Sequence, residues 1–427
     1  MNTRITCLLL FVIAHASAIA APKFPVRLNA GIGDNSAAEI GVLAWSPDGN
    51  TLASNGLGAE DAGQLLLWDA VNWGRKPKER ISANDMGSVI EIDFFDPKDS
   101  TRLALFFMDS AQKRYNYGIL NLKRPKDKPR IIGQKLKLSN LRALRSSNLP
   151  VIKSANWSRD GRKVAFNSTD GISIVDPVSG KILHTLNARN AREVLIPARK
   201  DFGQVAGWSP DGKYLVTKTR GGRGMVVFDE KLEEELFRYD VQLPDFRGFI
   251  FGSGIMSVAW NPKGTEIAFS VGMQDYRLRK VGNFKGRSHL HFFDMKGREA
   301  NEDPVGAPSR YKRFNRDFDS DRSFLMKDGK GVKIPFGTQL LAWDPQGRRI
   351  ATVALSVKPQ LWTDIHIYNK KGDLLHEFEI KDLFHHPKKS RGARTNGGVR
   401  SLAWSPDGFK LAAGLSDGTI RIFKTPK

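Results

Sequence analysis

The stretch from Asp317 to Asp328 contains the residue types that most directly suggest metal chemistry. Asp317, Asp319 and Asp321 alternate with other residues, and oxygen ligands at every second position are how a calcium loop begins. The pattern then departs from such a loop, because Arg322 stands where the turn needs glycine and Asp328 stands where a glutamate closes the site. We therefore expect a mixed-charge loop with no metal and no cofactor, and we keep the three aspartates as candidate ligands.

Histidine is the second candidate for chemistry. His289 and His291 lie two residues apart in an extended segment, so their side chains share one face of the predicted strand. His366 aligns with His291 in a later strand, and a polar residue is expected at that position. We interpret these histidines as surface or hydrogen-bonded residues. The chain also lacks a Gly-x-Ser-x-Gly nucleophile turn and a phosphate-binding loop, so no catalytic residue is assigned.

Lysine and arginine are the most abundant candidates. The chain contains 67 of them against 45 acidic residues, and the formal net charge of +22 favours polyanionic partners. Clusters of these cations are interleaved with aromatic residues, a combination that can follow a phosphate or carboxylate backbone. The candidate binding residues in these clusters are Lys218, Arg220, Arg223, Arg277, Arg279, Lys280, Lys285, Arg287, Lys388, Lys389, Arg391 and Arg394. The alternative, a solvated basic rim without a dedicated ligand, stays open.

These residues must be positioned by elements that repeat along the chain. A tryptophan, or once a phenylalanine, is followed by turn residues of the Ser-Pro-Asp-Gly kind in seven places. The seven aromatic residues are Trp45, Phe95, Trp157, Trp208, Trp260, Trp343 and Trp404. A short apolar strand and a third strand follow each turn, and a fourth strand follows in the first six repeats. Four-stranded units at this spacing predict an all-β fold, a seven-bladed β-propeller.

The seventh repeat has only three strands of its own, so its blade needs a strand from elsewhere. The segment at 24–29 is the only extended apolar one between the N-terminal run and the first tryptophan, and Pro25 is tolerated in an edge strand. We predict that this N-terminal strand completes the C-terminal blade and closes the ring. The propeller would then span residues 22–427.

The residues beside the tryptophans indicate how the blades pack. Small residues such as Gly207, Ala259 and Ala342 precede the tryptophan and fit an innermost strand that lines a narrow channel. The tryptophan itself is expected to pack between neighbouring blades, because one repeat cannot bury its own two faces.

The long segments of the chain fall almost entirely where a propeller opens opposite its tight first turns. Ten such segments contain 35 Lys and Arg against 16 Asp and Glu, a net charge of +19. They are 55–64, 109–116, 132–150, 187–203, 218–224, 243–254, 271–288, 295–337, 356–364 and 381–398. Insertions confined to one face are typical of a binding face.

The first residues predict a secretory signal peptide. Arg4 precedes a short apolar run, and Ala18-Ile-Ala20 provides a small-residue cleavage site, so residues 1–20 would be removed. This would take away Cys7, the only cysteine, and leave no thiol or disulfide. No later segment has the run of about eighteen apolar residues that a membrane helix needs. We expect an exported protein, periplasmic or secreted, that is a monomer without a transmembrane segment.

The repeats resemble those of WD-repeat propellers, and more closely the TolB-type variety whose signature is Trp-Ser-Pro-Asp-Gly. Trp45, Trp208 and Trp404 each begin that signature unchanged. The chain departs from ordinary WD repeats because no Gly-His pair precedes the first strand, and the closing Trp-Asp pair is kept only at Trp68-Asp69. The resemblance implies the propeller fold and leaves the ligand open.

We interpret the chain as an exported, non-catalytic binding or scaffold protein whose basic loop face engages an anionic or acidic macromolecule. An acidic glycan, a cell-envelope polymer or an acidic protein would satisfy that chemistry. The alternative is a propeller enzyme, a lyase or hydrolase that acts on an acidic polysaccharide through His289, His291 or His366. Oligogalacturonate lyases, which have similar repeats and use histidines with a metal, are the family that suggests this alternative.

Overall fold

The structure is a computed structural model. It describes residues 24–29, 40–56, 64–74, 76–81, 88–94, 96–109, 114–125, 127, 129–132, 154–168, 171–187, 206–218, 224–240, 254–274, 286–295, 333–334, 340–355, 362–380 and 398–426. Within these ranges the chain forms 28 β-strands and no helix. The strands make seven separate four-stranded antiparallel sheets, which confirms the predicted all-β, seven-bladed propeller. The predicted signal peptide, 1–20, lies outside the described residues.

Each sheet is one blade, and the first four blades follow the chain in order. Blade 1 contains β2 (Leu43–Trp45), β3 (Thr51–Gly56), β4 (Gln64–Asp69) and β5 (Glu79–Ile81). Blade 2 contains β6 (Ser88–Asp93), β7 (Arg102–Asp109), β8 (Arg114–Asn121) and β9 (Arg130–Ile132). Blade 3 contains β10 (Ser154–Trp157), β11 (Val164–Ser168), β12 (Gly171–Val175) and β13 (Ile182–Asn187). Blade 4 contains β14 (Ala206–Trp208), β15 (Tyr214–Lys218), β16 (Gly224–Asp229) and β17 (Glu235–Asp240).

The last three blades include the one that joins the two ends of the chain. Blade 5 contains β18 (Gly254–Trp260), β19 (Glu266–Gln274), β20 (Gly286–Asp294) and β21 (Lys333–Ile334). Blade 6 contains β22 (Leu341–Trp343), β23 (Arg349–Leu355), β24 (Trp362–Asn369) and β25 (Leu374–Glu379). Blade 7 contains β26 (Val399–Trp404), β27 (Lys410–Leu415) and β28 (Thr419–Lys424), with β1 (Val26–Asn29) as its outer strand.

The N-terminal strand completes blade 7 as predicted. β1 pairs antiparallel with β28, so that Val26 lies opposite Ile422 and Leu28 lies opposite Ile420. The innermost strands of neighbouring blades pack against each other around the ring, and β26 against β2 closes it. Leu28 is fully buried in a cluster that joins blade 7 to blade 1, because the same cluster contains Trp68. The hydrophobic core therefore lies between blades.

Hydrogen bonds and backbone conformation explain which residues occur at several positions of the Trp-Ser-Pro-Asp-Gly turn. In blade 1 the Ser46 hydroxyl donates to Asp48 Oδ1 at 2.6 Å and accepts the Thr51 N–H at 2.9 Å. Asp48 Oδ1 also accepts the Asn50 N–H at 3.0 Å. Gly49 has a φ of 71°, a conformation that glycine adopts without strain. The same serine–aspartate bond recurs at Ser158, Ser209 and Ser405.

The tryptophan of the signature bonds to the preceding blade. In blade 6 the Trp343 indole N–H donates to the Ala259 carbonyl of blade 5 at 3.1 Å. Four other indoles make the matching bond, from Trp45 to Ala403, Trp208 to Asn156, Trp260 to Gly207 and Trp404 to Ala342. The accepting residue is the one before the preceding tryptophan, where a small side chain leaves room for the ring. Packing between neighbouring blades is therefore confirmed.

One long segment differs from its predicted place. The sequence assignment put 295–337 opposite the tight turns, but β21 returns to blade 5 and pairs with β20 at Ser288 and His289. The segment 296–332 therefore joins a third strand to a fourth strand. Its first end lies beside the tight turn, since the Met295 N–H donates to the Thr265 carbonyl at 2.9 Å. The prediction failed because a fourth strand of two residues gives almost no apolar pattern in the sequence.

Candidate functional site on the loop face and in the channel

The ring has two faces, which we name by the connections on them. The tight-turn face carries the first turns, such as Ser46 to Thr51, that join innermost strands to second strands. The loop face carries the connections from second to third strands and from one blade to the next. β7, for example, ends at Asp109 opposite Arg114 on the loop face. Because the strands are antiparallel, every blade repeats this division.

Of the residues proposed for polyanion binding, two belong to described strands. Lys218 ends β15 and Arg287 lies near the start of β20, so both flank connections of the loop face. Arg287 pairs through its backbone with Met273. The other candidates lie outside the described residues: Arg220, Arg223, Arg277, Arg279, Lys280, Lys285, Lys388, Lys389, Arg391 and Arg394. The candidate metal ligands Asp317, Asp319 and Asp321 also lie outside them.

Lys218 is placed differently from a surface cation. Its side chain is buried, with 3% relative exposure, and reaches from blade 4 to the innermost strand of blade 5. The ammonium donates to the Met256 carbonyl at 2.9 Å and lies 3.5 Å from the Ile255 carbonyl. Both carbonyls adjoin a β-bulge, where the register of β18 shifts between Ile255 and Ser257. Burial lowers the pKa of the Lys218 ammonium to about 8.

A neutral residue does the corresponding work in blade 1. Asn55 and Lys218 each stand ten residues after the tryptophan of their blade. The Asn55 side-chain oxygen accepts the N–H groups of Gly41 and Val42 at 3.0 and 2.9 Å. Its amide nitrogen donates to the Val89 carbonyl of blade 2 at 3.2 Å. The bridge between blades therefore does not require a charge.

A cavity of about 200 Å³ opens among the inner strands of blades 3, 4 and 5, and we name it the channel cavity. Its lining residues are Asn156, Trp157, Gly207, Trp208, Val216, Thr217, Lys218, Val258, Ala259 and Trp260. The surface of this lining is about equally polar and apolar, and Lys218 is the charged residue among the described residues that form it. The predicted small residues before the tryptophans explain the space, because Gly207 and Ala259 leave room beside the channel.

Two carboxylates lie on the innermost strand of blade 2, where the sequence analysis did not look for a site. Glu91 and Asp93 alternate along β6, so they share one face of this strand, and both remain partly exposed. Burial, with the nearby Asp93 carboxylate, raises the pKa of Glu91 to about 8. Burial also raises the pKa of Asp93 to about 6, although the Arg159 guanidinium opposes this. Two acids at alternate positions in an otherwise apolar strand were the available signal.

Of the three histidines of the enzyme alternative, the structure describes the side chain of His366. His366 is buried, with Nδ1 3.2 Å from the Tyr368 hydroxyl and Nε2 3.4 Å from Glu377 Oε1. His289 and His291 lie in β20, and their side chains are outside the described part of the chain. No group of three or more potential metal ligands occurs among the described residues. His366 thus fits the prediction of a hydrogen-bonded histidine.

Comparison with known proteins agrees with the fold. A family model for the WD domain, G-beta repeat, matches residues 386–424, a span that includes β26, β27 and β28. A search of curated proteins finds no match to this chain. No helix in the described ranges is long and apolar enough to cross a membrane. The matched repeat and the seven blades together support a WD-repeat propeller, a scaffold consistent with a non-catalytic binding role.

Proposed function

We propose that this chain is an exported binding protein whose loop face engages an acidic macromolecule. The observation that carries the proposal is the charge of the segments that join strands at that face. Without 295–337 and the buried Lys218, the remaining segments contain 24 Lys and Arg against 9 Asp and Glu, a net charge of +15. A propeller holds such segments on one rigid platform, so their charges add to a single local field. Acidic glycans, cell-envelope polymers and acidic proteins present the complementary charge.

The unchanged Trp-Ser-Pro-Asp-Gly signatures favour the TolB-type variety of propeller for this role. WD-repeat propellers typically bind other proteins, so an acidic protein is a natural member of the partner class. The function rests on the charge of the loop segments, since one fold supports many functions.

Charge reversal on the loop face tests the proposal. We expect Arg277→Glu, Arg279→Glu and Lys280→Glu together to weaken binding to polygalacturonate or polyglutamate at least about tenfold at low salt, because these cations displace counterions. The matched control reverses Lys98, Arg162 and Lys213, three exposed cations of the tight-turn face. Fluorescence anisotropy with labelled polymer, repeated over a range of salt concentrations, measures both effects.

Equal loss in the two triple variants would show that only total charge matters and would overturn the loop-face assignment. Binding that does not weaken with salt would also overturn it. Comparing a polysaccharide with a polypeptide of matched charge density tells whether the face selects a glycan or a protein.

Export has its own test. Mass spectrometry of the protein recovered from outside the cytoplasm should find a chain that begins near Pro22. A cytoplasmic protein that retains Cys7 would contradict the exported part of the proposal and leave polyanion binding intact.

A further inference from the structure

The channel cavity contains a buried cation with neutral partners. The ammonium of Lys218 has three N–H donors, and the contacts described for it go to the carbonyls of Met256 and Ile255. No carboxylate of the described residues forms an ion pair with it, and burial alone accounts for its lowered pKa. A buried charge without a counterion is costly, so the position is poised for an anion.

We propose that the channel cavity binds a small monocarboxylate with an apolar body, whose carboxylate pairs with the Lys218 ammonium. This site is separate from the loop face, and Lys218 is thereby removed from the set of loop cations. The ligand supplies the negative charge that the surrounding protein does not.

The comparison with blade 1 shows why the charge is significant. Asn55 bridges two blades at the position that Lys218 occupies in blade 4, and it does so with a neutral amide. The propeller therefore does not need a cation there. A lysine at this position adds a charge that is costly to bury, and the cavity beside it has room for a ligand that could pair with this charge.

The size of the cavity limits the ligand. A cavity of roughly 150 Å³ accepts a benzene molecule, so the 200 Å³ of the channel cavity has room for a ring with a short acid group. Trp157, Trp208, Trp260, Val216 and Val258 are among the residues of the lining and supply its apolar part. Such walls favour an aromatic or branched aliphatic body.

The charge count favours a carboxylate over phosphate. Lys218 is the one charged residue among the described residues of the lining, and it can balance a single negative charge. The second charge of a phosphate dianion would have no counterion beside this one ammonium.

Calorimetric titration with benzoate, phenylacetate, benzyl alcohol and inorganic phosphate tests the proposal on the full-length protein. We expect the two carboxylates to bind at least about tenfold more tightly than the neutral alcohol and than phosphate. Lys218→Met, which keeps the length of the side chain, should weaken benzoate binding at least about tenfold. The matched control, Lys213→Met, changes an exposed lysine immediately before the start of β15 and should have no effect.

A second variant protects the test against misfolding of Lys218→Met. Asn156→Phe places a ring in the cavity while the Asn156 carbonyl, which accepts the Trp208 indole N–H at 3.2 Å, stays in the backbone. It should abolish benzoate binding and keep the far-UV circular dichroism of the folded propeller, while the thermal midpoint falls because the new ring crowds the Trp208 indole.

Three results would overturn the site: equal affinity for benzoate and benzyl alcohol, preference for phosphate, or unchanged benzoate affinity in Asn156→Phe. Polymer binding distinguishes this proposal from that of the loop face. Lys218→Met should leave polygalacturonate binding unchanged, and the loop-face triple variant should leave benzoate binding unchanged.

Discussion

Ring closure by the N-terminal strand makes Leu28 a single residue on which two blades depend. Its side chain has no exposed surface and lies opposite Ile420 in blade 7. It also shares a cluster with Trp45 and Trp68 of blade 1. Leu28→Ala removes this contact and leaves the backbone pairing of β1 possible. It therefore isolates the packing contribution of the closing strand.

The expected loss follows from burial. Leucine-to-alanine changes at fully buried positions lower the free energy of unfolding by about 2–5 kcal/mol. Since β1 is an outer strand that can shift toward the space left behind, we expect about 3 kcal/mol. Urea denaturation followed by tryptophan fluorescence measures the change as a lower midpoint with an unchanged slope.

Leu374→Ala is the matched control, because Leu374 is 50% exposed on the outer strand of blade 6. We expect a change within about 0.5 kcal/mol there. A loss at Leu28 of less than about 1 kcal/mol, or no greater than at Leu374, would refute the idea that β1 holds the ring closed.

Three further predictions follow from single contacts. Gly414→Ala should destabilise the protein by more than about 2 kcal/mol in urea denaturation, because the new Cβ would lie 2.7 Å from the Ile40 carbonyl and collide with Ser401 Oγ. Trp343→Phe removes an indole N–H that donates to the preceding blade, so the free energy of unfolding should fall by about 1–2 kcal/mol, measured as a lower thermal midpoint. The raised pKa of Glu91 means that the folded protein holds a proton which the unfolded chain loses above its ordinary pKa. Stability should therefore fall as pH rises from about 5 to about 8, and Glu91→Gln should make the urea midpoint less dependent on pH.

The fold could be predicted from the sequence because each repeated residue makes the same contact or turn in several blades. The tryptophan bonds the preceding blade, as Trp404 does to Ala342, and the turn glycine takes a positive φ, as Gly408 does. Because the same contact recurs in successive blades, the residue that makes it recurs at regular intervals in the sequence. Closure was readable for a related reason, since blade 7 had three strands and the segment 24–29 was free to supply a fourth.

The candidate site was less readable because it breaks the period. Lys218 adjoins a glycine-rich segment in sequence, and that pattern does not predict that its side chain donates to the buried Met256 carbonyl. Glu91 and Asp93 belong to the blade with the degenerate signature, where the inner strand is hardest to align. Short strands such as Lys333–Ile334 contain too few residues to give a recognisable pattern in the sequence. The repeat in the sequence therefore predicts the scaffold, whereas the residues that depart from the repeat are placed only by the three-dimensional structure.

Asp93 and Lys218 are both charged residues at positions where other blades have neutral ones. Asp93 lies opposite Ala104 as Ala44 lies opposite Ala53, and the same place is held by the small neutral residues Ala342 and Ala403 in two further blades. The propeller thus forms without an acid there, and burial makes the acid unfavourable, as its raised pKa shows. The same reasoning applies to Lys218. A repeat protein that keeps unfavourable charges at positions where its other repeats are neutral keeps them for something other than the fold, and functional sites are where local rules are broken. The channel is therefore a second place, besides the loop face, in which to look for the ligand of this propeller.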